Sequence, residues 1–292
     1  MKTLEEYLIK KYSKSTVKTN LYLIKRFTDY YHHQSETATY TDVLNYMAHL
    51  RKNYNLHPKT LRHNLSGVKI YFNYLLEIGK RNDHPCNALF LKDKINKQIQ
   101  VDNLYSSETL ENFLNLAKND TKLVQKRNQV IISLLIYQGL KVSEISALEL
   151  QDINLEKAEI YIEENQSKIT RTLPLQAKQI LLFLNYLQQD RAILLNYKTK
   201  NKAINNFVIG QYGQRITPNL INRMINNHRE ENQKTQPVKI RQSVIANLLK
   251  KENDTRIVQV FAGHKRASTT IQYKQTALEI LQNAINLYHP IR

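Results

Sequence analysis

Near the C-terminal end of this 292-residue chain, Gly263-His264, the hydroxyl run Ser268-Thr269-Thr270 and Tyr273 stand within eleven positions of one another. Tyr273 is one of 18 tyrosines and by itself would pass for a structural residue. Its place nine residues after the histidine, across a hydroxyl-rich turn, sets it apart. Upstream lie Arg241 in the run Pro237 to Leu249, Lys168 in a polar turn, and Lys141 directly after Gly139-Leu140 with Glu144 close behind. Guanidinium and ammonium groups hold phosphate oxygens, and imidazole, phenol and amine groups move protons. The bulk charge agrees with a phosphate-bearing partner. There are 43 Lys and Arg against 25 Asp and Glu, a formal net charge of +18. That imbalance repels itself in a compact state, so a polyanion, foremost nucleic acid, is its natural counterpart.

The segment Val258-Gln-Val-Phe-Ala-Gly-His-Lys-Arg-Ala-Ser-Thr-Thr-Ile-Gln-Tyr273 resembles the signature of the tyrosine recombinases, the Xer-like, phage-type integrases. Tyr137-Gln-Gly-Leu-Lys-Val-Ser-Glu-Ile145 resembles the first catalytic box of that family. The family has arginine where this chain has Lys141, and Glu144 matches the acidic residue that buttresses it. Pro237 to Leu249 resembles the third box, with Arg241 as the second arginine and Val238 where the family has histidine or, at times, lysine. Asn165 to Leu175 resembles the β-turn that carries a catalytic lysine. Lys168 is the only lysine there. Counted back from Arg171, the commonest family position falls on Gln166, which implies a slightly altered turn. The likeness runs from Ser106 to Tyr273. The N-terminal helices, including Ser15-Thr16 and Lys59 to Tyr74, resemble the core-binding domain.

The resemblance implies site-specific DNA cleavage and rejoining through a 3′-phosphotyrosine, with no cofactor and no metal. Tyr273 is then the nucleophile, and Arg241 and Lys141 hold the phosphoryl oxygens. His264 hydrogen-bonds one of them, and Lys168 protonates the leaving 5′-oxygen. Bond energy is conserved in the protein–DNA link, and no Walker-type Gly-rich loop occurs. Lys141 is a point donor where arginine presents a planar fork. Val238 can neither donate nor accept a proton. The two departures leave an alternative: a catalytically weakened or inactive DNA-binding paralogue acting in synapsis or regulation. The resemblance also implies double-stranded DNA as partner and a homo-oligomer, a dimer on one site and a tetramer in synapsis.

Elements able to hold these residues can be traced along the chain. Six Gly and six Pro in the whole sequence point to long regular elements. Leu4 to about Lys80 reads as four helices. In the second, Val17, Leu21, Ile24 and Phe27 share one face while Lys14, Lys18 and Lys25 share the other. Thr41 is placed as N-cap of the third helix, Pro58 at the start of the fourth, and Gly79 at its end. The basic, weakly periodic stretch after Arg81 reads as a linker. Beyond it, a helix capped near Ser107, an apolar helix Arg127–Gln138 and a start near Ser143 precede strands at Ile153, Ile160–Ile162 and Thr170–Leu175. Helices follow over Ala177–Gln189, Thr217–Asn227, Ile240–Lys250, Arg256–Ala262 and Thr276–Leu287. The last has an apolar stripe suited to docking on a neighbouring protomer.

The expected fold is therefore mainly α. A helical core-binding domain over 1–81 and a basic linker over 82–104 precede a mostly helical tyrosine-recombinase catalytic domain with a small antiparallel sheet over 105–292. The single cysteine, Cys86, excludes an intrachain disulfide and a cysteine-based zinc cluster. No stretch approaches the roughly 20 apolar residues that span a bilayer, and the first residues lack the apolar run of a signal peptide. The expectation is a cytoplasmic protein without membrane contact.

Overall fold

The computed structural model describes residues 3–93, 99, 103–119, 121–163, 169–197, 205–227 and 229–274. The hairpin turn with Lys168 and the helix expected over 276–287 lie outside them. The chain divides into two compact units, Met1–Lys97 and Gln98–Arg292.

In the first unit four helices form where their apolar periodicity places them: α1 (Leu4–Lys11), α2 (Lys14–Tyr31), α3 (Tyr40–Tyr54) and α4 (Pro58–Glu77). Thr3 caps α1 reciprocally with Glu6, and Thr39 caps α3 reciprocally with Asp42. Thr39, two residues ahead of the expected Thr41, is thus the cap. The reason is that a carboxylate three residues on can return a bond to its backbone N–H. Pro58 opens α4, where its missing N–H costs nothing. Phe27, Tyr46, Phe72, Val43 and Leu61 form the core, with Phe27 edge-on to both Tyr46 and Phe72.

The second unit begins with α5 (Ser107–Asn112), capped by Ser106, which tightens into a 3₁₀ turn over Phe113–Asn119. The apolar helix α6 (Lys122–Tyr137) starts five residues earlier than expected, because Leu123 and Val124 extend its apolar pattern ahead of Arg127, with Leu123 packed on the core. A one-turn helix α7 (Val142–Ile145) follows. Then come β1 (Ile153–Asn154), β2 (Glu159–Ile162) and β3 (Arg171–Pro174), antiparallel in the order β1-β2-β3, with Ile160 facing Leu173 and Ile162 facing Arg171. Helices α8 (Ala177–Asn185), α9 (Arg191–Leu195), α10 (Pro218–Asn226), α11 (Pro237–Lys250), α12 (Thr255–Ala262) and α13 (Ala267–Ile271) complete the described residues. Helix α11 starts at Pro237, three residues ahead of expectation, since proline suits the first helical position. The segment read as a Ser-Thr-Thr turn is the short helix α13.

The core of this unit gathers α6, the sheet, α8 and α10 around Ile131, Leu135, Ile160, Phe183, Phe207 and Ile221. A smaller cluster of Ile245, Leu249, Val258 and Ala262 packs α11 on α12 and takes in the ring of Tyr273. Among the described residues no helix is long and apolar enough to cross a membrane.

Candidate active site

Helix α6 ends at Gln138, and Gly139 follows in the left-handed region at φ +57°. Its carbonyl, left without an intrahelical donor, accepts from Arg241 Nη1 at 2.5 Å. Two residues on, Lys141 is the N-cap of α7, and its backbone N–H donates to Glu144 Oε2 at 2.8 Å. The same carboxylate receives Arg171 of β3, Nη2 to Oε2 at 3.1 Å, with both side chains almost wholly buried. A buried carboxylate is tolerated when paired and hydrogen-bonded, and Glu144 has both.

Arg241 sits one turn into α11. Besides Gly139 it donates through Nη2 to the carbonyl of Ala262, and the same nitrogen lies 3.4 Å from His264 Nε2. The start of α11 is anchored by three hydrogen bonds to Thr235. Asn226 of α10 bonds the N–H and the carbonyl of Thr235, each at 2.8 Å, and Tyr105 donates its hydroxyl to Thr235 Oγ1 at 2.8 Å. Helix α12 terminates in Gly263 at φ +61°, and a Cβ there would stand 2.5 Å from Arg171 Nη1. Glycine is required at that position twice, by backbone conformation and by the guanidinium beside it. His264 follows, with Nδ1 2.9 Å from Thr270 Oγ1 of α13. Its ring lies nearly parallel to that of Tyr273, centroids 6.1 Å apart and planes 15° apart.

The electrostatics follow from this crowding. Burial first, then Arg241, Lys141 and Arg171, press the His264 imidazole down to about 4, so it is neutral at pH 7. A guanidinium only donates, so Nε2 facing Arg241 is the acceptor and Nδ1 carries the proton toward Thr270. Burial raises the Tyr273 phenol, while Arg241 and a hydrogen bond from Gln242 pull the other way. The ring is largely buried against α11 and α12, so the hydroxyl is held in place at rest.

Of the five residues singled out by sequence, Arg241, His264 and Tyr273 meet in one buried cluster, and Lys141 acts on it electrostatically. Lys168 lies outside the described residues. Lys141 and Arg241 also line a cleft of about 570 Å³ together with Val238, Asn222 and Asn226. Val238 is 60 % exposed at its wall, so both departures from the family pattern border the same space. Two participants escaped the sequence reading. Arg171 was noted only as a counting mark. Its signal was a cation at an inward position of an alternating strand, buried alongside Leu173. Gln242 is the other: its side chain reaches the Tyr273 hydroxyl, because Tyr273 packs against the flank of α11. Among the described residues, no group of three or more His, Cys, Asp or Glu side chains is arranged to hold a metal ion.

Residues 104–279 match the phage integrase family, and residues 1–79 match the N-terminal SAM-like domain of phage integrases. The tyrosine recombinase XerC of Natranaerobius thermophilus is 25 % identical over 99 % of this chain and 94 % of that protein. The tyrosine recombinase XerD of Proteus mirabilis is 29 % identical over 77 % of this chain and 71 % of that protein. Among solved structures, the XerH site-specific recombinase bound to palindromic difH substrate superposes with a TM-score of 0.71 at 19 % identity, covering 94 % of this chain and 80 % of that one. The Tn1549 transposon integrase in complex with transposon right end DNA gives 0.69 at 16 % identity, covering 97 % and 98 %. At these identities the structures show a shared fold.

Proposed function

This chain belongs to the phage integrase family and is a tyrosine-type site-specific DNA recombinase, and we propose that it cuts and rejoins duplex DNA through Tyr273. The observation that supports this assignment of residues is the meeting of Arg241, His264 and Tyr273, from three separate elements, in one buried cluster. In this reading the Tyr273 hydroxyl passes its proton to water as its oxygen attacks phosphorus. A phosphotyrosine bond forms at the 3′ side, and the bond to the 5′-oxygen breaks. Charge grows on the non-bridging oxygens as the transition state is reached, and fixed cations aimed at them lower the barrier. Arg241 supplies a preorganised guanidinium, its direction set by the carbonyls of Gly139 and Ala262. Lys141 adds a second positive charge at the cleft. A phosphate oxygen brought to His264 attracts a proton to its ring, which makes the imidazole a donor to that oxygen. Lys168 protonates the departing 5′-oxygen.

Residues 105–292 carry this chemistry, and residues 1–81 supply a second DNA-binding unit. The working assembly is a dimer on one site and a tetramer in synapsis, in the cytoplasm. Retention of Tyr273 within the Gly-His block disfavours a paralogue without cleavage, while Lys141 and Val238 set a modest rate. The test is a nicked duplex that traps the covalent protein–DNA adduct. Tyr273→Phe is expected to abolish the adduct and to leave duplex affinity within about twofold, because the lost hydroxyl is a nucleophile and not a clamp. An undiminished adduct in that variant would place the nucleophile elsewhere.

A further inference from the structure

Outside the cluster just described, the first unit holds a cleft of about 550 Å³ between α2 and α3, within the size range of small-ligand sites. Its walls are aromatic. Tyr22 and Tyr30 come from α2, and His49 and Tyr54 from α3. Tyr22 and Tyr54 are 64 % and 55 % exposed, so their rings are open to a ligand from solvent. Tyr30 and His49 are in ring contact at 4.5 Å, and the Arg26 guanidinium lies 4.3 Å over the ring of Tyr54. Lys25 also lines the cleft, on the basic face of α2 that includes Lys14 and Lys18.

Tyr46 stands at the back of this space, only 1 % exposed, and its hydroxyl has no hydrogen-bond partner among the described residues. Burial pushes that phenol up to about 12, so the hydroxyl keeps its proton and can donate. The groups that influence it electrostatically are Arg26, Tyr54 and Tyr22, the walls of the cleft. A buried hydroxyl left unbonded is destabilising, because it has given up its bonds to water for nothing in return. Such a cost is accepted where a ligand supplies the missing acceptor. Asp29 adds one carboxylate, an acceptor for an amino group.

We propose that this cleft binds an unpaired nucleobase of single-stranded DNA, stacked on Tyr22 and Tyr54, with its backbone phosphate on Lys25 and Arg26 and a ring acceptor on the Tyr46 hydroxyl. Aromatic faces interleaved with cations are the elements of sequence-tolerant single-strand binding, where bases stack and phosphates follow the positive charge. A cage for an organic cation fits less well, since Lys25 and Arg26 already bring positive charge to the cleft. A protein segment fits less well too, since Leu50 is the one aliphatic side chain among the lining residues. The source of the base rests on the recombinase reading. A reaction that cuts a strand and hands it to another helix releases an unpaired stretch next to the protein.

The probe is a short oligothymidylate with one 2-aminopurine, titrated into the full chain beside a matched duplex. Stacking should quench the 2-aminopurine. Tyr22→Ala and Tyr54→Ala should each weaken single-strand binding by about five- to a hundredfold, with duplex affinity changed by less than about twofold. Tyr46→Phe should weaken it by about two- to tenfold while its thermal transition stays the same or rises, since only an unbonded buried hydroxyl is removed. Tyr22 and Tyr54 are exposed, so their replacement leaves the core in place. Unchanged single-strand affinity in the Tyr22 and Tyr54 variants would overturn the proposal. Equal losses for single strand and duplex would also overturn it, by reducing the cleft to a phosphate contact. A change in self-association with strand binding intact would assign the cleft to a second copy of the chain instead. Adduct formation on the nicked duplex is read separately, so failure of this cleft and failure of the Tyr273 assignment are distinguishable.

Discussion

Arg171 is the residue whose replacement probes the site most directly. Its guanidinium pairs with Glu144 at 3.1 Å, both side chains 2 % exposed or less, and it fills the space that a Cβ on Gly263 would occupy. Arg171→Met keeps much of the volume and removes the charge. Glu144 is then a buried carboxylate that keeps the Lys141 N–H but has lost the guanidinium paired with it. Removing one partner of a buried pair typically costs about 3–5 kcal/mol, most of it the charge left behind. Arg171→Met should therefore lose about that much stability in urea unfolding. Glu144→Gln in the same chain should return about half, since a neutral amide does not need the cation. The catalytic effect is indirect. Glu144 holds the backbone of Lys141 and Arg171 abuts the turn that presents His264, so a shift of about 1 Å at either can cost on the order of a hundredfold in rate. Adduct formation on a nicked duplex should fall by about that factor in Arg171→Met, with duplex affinity nearly unchanged. Rescue of adduct formation by Arg171→Lys should be partial, because an ammonium cannot span Glu144 and Gly263 as a planar fork does. A loss below about 1 kcal/mol, together with an undiminished cleavage rate, would refute the reasoning that this pair organises the site.

Replacing Lys141 by Arg should raise the rate of adduct formation more than duplex affinity, because the fork gains most where two phosphoryl oxygens carry charge, whereas Lys141→Ala should fall well below the starting protein. Equal rates with lysine and alanine would remove Lys141 from the scissile phosphate. For His264 the folded value of about 4 lies below the ordinary 6.5, so the unfolded chain binds the proton more readily and stability falls as pH drops from about 6.5 toward 4. The gap corresponds to at most about 3.4 kcal/mol, and unfolding curves of His264→Gln should lose that part of the acid dependence. Duplex affinity should fall linearly and steeply with salt on logarithmic axes, as expected when many Lys and Arg side chains displace condensed counterions; a flat dependence measured by fluorescence anisotropy would count against a phosphate clamp.

What the sequence determined by itself is local. The Gly263-His264 step, the hydroxyls after it and Tyr273 fall on one helix end, the next short helix and the residues just past it, so their spacing nearly dictates their meeting: a left-handed glycine ends α12, and Thr270 receives the histidine. The four N-terminal helices were legible for the same reason, since apolar periodicity is a short-range pattern that burial enforces. Cap positions were less so: Thr39 rather than Thr41 starts α3 because of a bond from Asp42. Tertiary structure alone decided the partners from distant segments. Arg171 meets Glu144 across 27 residues, Arg241 meets the Gly139 carbonyl across 102, and Gln242 meets Tyr273 because the tyrosine ring packs against α11. It also decided that the tyrosines of α2 and α3 should face one another across a cleft, with a buried hydroxyl at its back. Spacing along the chain carries no information about such meetings. They arise when two cores close and leave polar groups to be satisfied by whatever the packing brings near.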